Sequence, residues 1–195
     1  MLIEEYAKLF EQKYSYLPWF TFPAIEYLLQ LDLIEKNVFE WGSGDSTRFF
    51  AARCKSVVSV EHDPTYYNKC KGCAANVELH LCDINNFVEI IDKYYGLFDV
   101  IVIDSERRMD CCKKALEHLH KFGLIIFDNS NWHGTCCKFL RDAKLLQVDF
   151  HGMGPRNIYA WTTSLFFSRD FNFNLLVEPQ PQAPIFGDLV VVKSE

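Results

Sequence analysis

The feature that most constrains the fold is a recurring unit: a short run apolar at nearly every position that closes on an acidic residue or a glycine turn, followed by an amphipathic stretch. Asn37 to Trp41 runs into Gly42-Ser43-Gly44, Ser56 to Val60 closes on Glu61, and Val77 to Leu81 closes on Asp83. Phe98 to Ile103 closes on Asp104, and Leu124 to Phe127 closes on Asp128. A strand apolar on both faces needs cover on both sides, which a parallel sheet with intervening helices supplies. The alternation predicts a doubly wound α/β fold, a Rossmann-like, mostly parallel sheet with helices on both faces. Helices are expected from Thr21-Pro23 to about Leu31, Ser46 to Arg53, from Asp63 or Pro64 onward, Met109 to Lys121 and Trp132 to Arg141. A further helix is expected over about 2–11. Leu145 to Phe150 and Tyr159 to Phe167 read as a C-terminal antiparallel hairpin on the sheet edge. With 195 residues the chain reads as one domain: a helical cap segment over 1–35, a cofactor-binding core over 36–167 and an extension over 168–195.

In such a sheet the ligand crevice lies outside the carboxyl ends of the strands. Glu61, Asp83, Asp104 and Asp128 converge on that edge. The sharpest local signal is VFEWGSGDSTRFF, residues 38–50. Its glycines permit a tight turn and close backbone approach to a ligand, and Ser46 or Thr47 is placed to cap the helix that follows. Glu61 stands nineteen residues beyond Gly42, where a carboxylate can take two ribose hydroxyls. A dinucleotide fingerprint needs a third glycine at position 47, and Thr47 stands there. Glu40 and Asp45 beside the turn would repel a pyrophosphate but suit a cationic, phosphate-free ligand. Asp83 is placed near an adenine. S-adenosylmethionine fits these features better than NAD.

On FEWGSGDST (39–47), VVSVEHDPTYY (57–67), FDVIVID (98–104) and GLIIFDNS (123–130), the chain resembles class I S-adenosylmethionine-dependent methyltransferases over roughly residues 20–167. The resemblance implies a cofactor site on Glu40, Gly42, Ser43, Gly44, Glu61 and Asp83. The segment DFHGMGPRNIYAWTTSLFF resembles a bacterial-type subgroup of these enzymes with no assigned substrate. Asp104, Asp128 and Asn129 are similar to the Asp, Asp and Asn of catechol-type, metal-dependent O-methyltransferases. Two carboxylates and an amide oxygen are hard ligands suited to Mg²⁺, which lowers the pKa of a bound hydroxyl. Those enzymes carry a lysine just after the first aspartate; this chain has SERR (105–108). Arg107 is a poor base, because guanidinium stays protonated, but it can anchor an anionic group. Asp128 and Asn129 equally suit a cap on the following turn. His133, after DNSNW, and His151 are candidate bases, and Asp104, Asp128 and His133 are the expected catalytic residues.

Composition narrows the classes. With 20 basic against 26 acidic residues, net −6, the chain is a poor match for a phosphate backbone. DNSN (128–131) lacks the proline-aromatic part of the tetrad found in base-modifying enzymes. A small-molecule substrate is expected, and nucleic acid is not. No apolar run is long enough to span a membrane, and MLIEEYAKLF is unlike a signal peptide. The eight cysteines include Cys111-Cys112 and Cys136-Cys137 in helical patterns. They read as reduced thiols of a cytoplasmic protein, and so do Cys70, Cys73 and Cys82, which with His80 raise the question of zinc. The sequence thus predicts methyl transfer to a small nucleophile, an oxygen by preference. Its alternatives are a non-catalytic methyltransferase-like binding module and an NAD-dependent oxidoreductase.

Overall fold

The computed structural model describes residues 16–178 and 180–185, together with Glu5, Lys8 and Gln12, which are helical. The rest of the helix expected over 2–11 and the last ten residues of the C-terminal extension lie outside the described residues. Among the described residues seven strands form one sheet: β1 (Asn37–Trp41), β2 (Ser56–Glu61), β3 (Val77–Leu81), β4 (Phe98–Ile103), β5 (Leu119–Asp128), β6 (Leu146–Gly152) and β7 (Trp161–Phe167). Their spatial order is β3-β2-β1-β4-β5-β7-β6. The first five are parallel, and β7 inserts antiparallel between β5 and β6. This is the Rossmann-like methyltransferase sheet with its C-terminal antiparallel hairpin.

The two-residue period of a strand sorts the sheet's side chains onto two faces. Val38, Val100, Val102, Leu124 and Ile126 point to one side, where they bury α1 (Phe22–Leu28) and α2 (Asp45–Ala51) through Ile25, Leu28, Phe49 and Phe50. Phe39, Trp41, Ile101, Ile103, Ile125 and Phe127 point to the other, against α4 (Arg108–His118) and α5 (Gly134–Asp142). Cys111, Cys112, Cys136 and Cys137 are buried in that second layer. All eight cysteines are free thiols.

Several element ends differ from expectation for local reasons. Thr21 precedes α1 but makes no cap. Its N–H donates to Thr163 Oγ1 and its hydroxyl to the Phe150 carbonyl, both at 3.0 Å, so it ties the N-terminal segment to the hairpin. α3 (Pro64–Cys70) does open as read, with Asp63 Oδ1 accepting from Thr65 N–H at 2.7 Å. α4 stops three residues before Lys121, because the chain leaves it to begin β5 at Leu119, opposite Phe98. Asn129 adopts a left-handed conformation (φ 57°) that turns the chain out of β5. Trp132 therefore lies in a 3-10 turn (Ser130–Trp132), and α5 starts only at Gly134. Among the described residues no helix is long and apolar enough to cross a membrane.

Candidate active site

A cleft of about 840 Å³ opens over the carboxyl ends of β1, β2, β4 and β5, within the size range of small-molecule sites. It has two halves.

The first half is built from backbone. Gly42 takes φ 98°, and a Cβ there would overlap the carbonyl oxygen of Asp104, so the turn passes too close to β4 for any other residue. At Gly44 a Cβ would meet nothing within 4 Å, which leaves the floor of the cleft open. Glu61, buried at the end of β2, holds this turn. Its Oε2 accepts from the Ser43 N–H (2.8 Å) and hydroxyl (3.1 Å). Its Oε1 accepts from the N–H groups of His62 (2.8 Å) and Asp63 (2.9 Å). Below the turn, Glu40 is fully buried. Its Oε2 accepts from Thr47 (2.5 Å) and Ser59 (2.8 Å), while Oε1 has no hydrogen-bond partner. Burial pushes the Glu40 carboxyl up to about 7; the neighbouring hydroxyls of Ser46, Thr47 and Ser59 oppose that shift and the charge of Asp104 adds to it. Thr47, where a dinucleotide site would have glycine, is the hinge of this arrangement: its hydroxyl also accepts the Gly44 N–H at 3.0 Å. Glu40 supports the turn from beneath and is not among the cleft-lining residues.

Asp83 is not brought to the cleft. It is exposed, and its Oδ1 closes its own turn on the Asn85 N–H and Nδ2 (2.8 and 2.6 Å).

The second half is built from side chains at the ends of β4 and β5. Asp104, Asp128 and Asn129 all line the cleft, as expected, but Arg108 stands among them. Its Nη2 donates to Asp104 Oδ1 (3.2 Å) and Asn129 Oδ1 (3.3 Å), and its Nη1 donates to the Ser105 carbonyl (2.5 Å). Asp128 is only 3% exposed. Its Oδ1 accepts from Trp161 Nε1 (3.0 Å) and the Thr163 hydroxyl, the residue facing it on β7. Burial raises the Asp128 carboxyl well above the usual carboxylate range, the charge of Asp104 adds to this, and the hydrogen bonds oppose it. Asp104 is raised too, by desolvation first, with the Arg108 guanidinium pulling the other way. A divalent cation does not fit this donor set: a guanidinium already bridges two of the three expected ligands, and the third spends an oxygen on two internal donors. Elsewhere, Asp92, Glu117 and His118 approach one another closely enough to hold an ion. The Lys114 ammonium already sits there, 2.9 Å from Asp92 and 3.1 Å from Glu117. Cys70, Cys73, Cys82 and His80 form no such group among the described residues; Cys70 Sγ instead donates to the Gly44 carbonyl at 3.3 Å.

His133 does not reach the cleft. It packs against Phe127 at 6.0 Å, and burial, helped by Arg108, holds its imidazole below the usual value. His151 is exposed on β6, 2.7 Å from the Thr162 hydroxyl. Arg107 is not in the cleft either; it donates to the carbonyls of Ile84 and Asn85 (3.2 and 2.9 Å). Sequence reasoning missed Arg108, and it missed Arg156, whose guanidinium reaches from the β6–β7 loop across the mouth of the cleft to Asp45.

A parallel sheet extended by an antiparallel hairpin, with a glycine turn and an acidic second strand end under one cleft, defines the methyltransferase-like class of α/β folds. Solved structures agree. The O-methyltransferase TomG from Streptomyces achromogenes, in complex with SAM, superposes with a TM-score of 0.60 at 14% identity, over 85% of this chain and 88% of that one. The N-methyltransferase NodS from Bradyrhizobium japonicum WM9, in complex with S-adenosyl-L-homocysteine, gives 0.53 at 18% identity over 70% and 79%. An rRNA methylase from Streptococcus thermophilus gives 0.52 at 15% identity over 72% and 90%. No protein-family model matches the chain, and no curated protein matches it in sequence. These likenesses establish the fold, and the acceptors named in the three differ.

Proposed function

We propose that the chain is an S-adenosylmethionine-dependent methyltransferase acting on the oxygen of a small molecule. The observation that carries this reading is the grip of Glu61 on the N–H groups of Ser43, His62 and Asp63 at the floor of the cleft. That grip presents a buried carboxylate beside an open glycine turn, in an acidic surrounding that suits a sulfonium rather than a pyrophosphate. Of its four donors only the Ser43 hydroxyl is free to rotate away, and a ribose hydroxyl takes its place. The cofactor, when bound, supplies a methyl group on a positively charged sulfur. The protein contributes position and exclusion of water. Asp104, its Oδ1 held by Arg108, turns Oδ2 to the acceptor's proton, with the buried Asp128 beside it. The eight free thiols favour the cytosol. Because Arg108 bridges Asp104 and Asn129, no step is assigned to Mg²⁺.

The test is calorimetric titration of the ligand-stripped protein with S-adenosylhomocysteine and, separately, NAD. One-to-one micromolar binding of the first and none of the second is expected. No binding by protein shown to be folded replaces this reading with the non-catalytic module; NAD binding replaces it with an oxidoreductase.

A further inference from the structure

Large rings line the acceptor half of the cleft and stay uncovered. Trp132 is 57% exposed, Tyr159 48% and Trp19 41%. Trp132 and Tyr159 come from opposite sides, the turn after β5 and the loop before β7. Their centroids lie 6.4 Å apart with planes inclined by 37°, too close to admit a third ring between them, so together they form one wall. Tyr159 also meets Trp161 at 5.9 Å, and Trp161 is anchored by its hydrogen bond to Asp128. The wall therefore stands on the residue pair that closes the acceptor end of the site. A π-face held open beside a reacting centre gains most by stacking on another flat ring.

The charges around it say what that ring carries. Every cation of the cleft already has a partner: Arg108 on Asp104 and Asn129, Arg156 on Asp45, Arg48 on Asp45 and the Lys69 carbonyl, and Lys69 over the Tyr66 ring. In the acceptor half, an anionic acceptor would have to compete with Asp104 for Arg108 or with Asp45 for Arg156. Two polar side chains near the wall are engaged internally: Asp128 accepts from Trp161 and Thr163, and Asn131 Oδ1 accepts from the Thr162 N–H.

We propose that the methyl acceptor is an uncharged molecule with a flat aromatic ring, laid against Trp132 and Tyr159 with its hydroxyl toward Asp104. The proposal rests on the methyltransferase reading above. In the step it serves, the hydroxyl oxygen forms a bond to the methyl carbon, the carbon–sulfur bond breaks with its electron pair going to sulfur, and the hydroxyl proton passes to the Asp104 carboxylate.

The experiment titrates the full chain, saturated with S-adenosylhomocysteine, with four probes: 2-naphthol, decahydro-2-naphthol, 2-naphthoate and methyl β-glucopyranoside. One-to-one binding of 2-naphthol is expected, about tenfold or more tighter than that of the other three. Trp132→Ala and Tyr159→Ala should each weaken it about fivefold or more, and Trp132→Phe should keep most of it. Both positions are half exposed, so the variants should keep the parent's thermal midpoint. Equal binding of the saturated analogue, preference for the naphthoate or the glucoside, or no response to either alanine variant overturns the aromatic acceptor and leaves the methyltransferase reading standing. Failure to take up S-adenosylhomocysteine at all overturns both.

Discussion

The two halves of the cleft are made by different means. The cofactor half is a matter of backbone: a glycine turn, four donors around Glu61, and a buried Glu40 tied to Thr47 seven residues away. The acceptor half is a matter of side chains brought from far along the chain. Trp161 and Thr163 reach Asp128 across 33 and 35 residues, and Arg156 reaches Asp45 across 111. A backbone-built site is fixed once its strand and helix form, whereas a side-chain-built site waits for the whole domain and can change its chemistry without disturbing the sheet.

Four substitutions would break or sharpen that contrast. The largest effect is expected from Gly42→Ala, which adds a Cβ against the Asp104 carbonyl at φ 98°. We expect a loss of about 3 kcal/mol or more in urea unfolding, and no measurable S-adenosylhomocysteine binding; retained binding would show that the turn is not what defines the cofactor half. Next is Glu40. Its carboxyl rises from 4.5 to about 7 on folding, so the folded chain holds the proton more tightly than the unfolded one. The stability this contributes is fully present below about pH 4.5 and is lost as pH rises to about 7, a fall on the order of 3 kcal/mol. Glu40→Gln should flatten the stability profile across that window, and an unchanged slope would mean that other groups set it.

Arg108→Met should cost less, about 1–2 kcal/mol, because the Asp104 it leaves unpaired is 29% exposed to water. Its affinity for S-adenosylhomocysteine should stay within about twofold of the parent's, whereas a large loss would show the two halves to be one unit. Asp45→Asn, which releases Arg156 from its exposed pair, is expected to change stability by less than about 1 kcal/mol, with unfolding midpoints at low and high salt converging relative to the parent.

The same contrast sets what was legible in the sequence. The order of strands and helices, the hairpin, the glycine turn and the position of Glu61 all follow from short patterns, because neighbouring residues decide them. Where reading went astray, one backbone angle was usually responsible. Arg107 and Arg108 are adjacent, and nothing in SERR says which enters the cleft. The left-handed conformation of Arg107 (φ 50°) sends its side chain to the Ile84 and Asn85 carbonyls, and Arg108 takes the place beside Asp104. The same conformation at Asn129 brings Trp132 to the cleft and leaves His133 behind, against Phe127. Asp83 follows its strand as the other strand-end acids do, but β3 is the outermost strand, and the carboxylate accepts from the N–H and Nδ2 of Asn85.

The position of β7 has a consequence for how the chain comes to be folded. β6 is made first, yet among the described residues its partner in the sheet is β7 alone, which must slide between it and β5. A chain emerging from the ribosome thus carries the open edge of β5 and an unpaired β6 until residue 167 is out. Thr21, near the other end, cannot complete its bonds to Phe150 and Thr163 before then. Closure of the sheet is a late, long-range event of the kind that slows folding. A nascent chain stalled before β7 would expose two strand edges to its neighbours on a polysome.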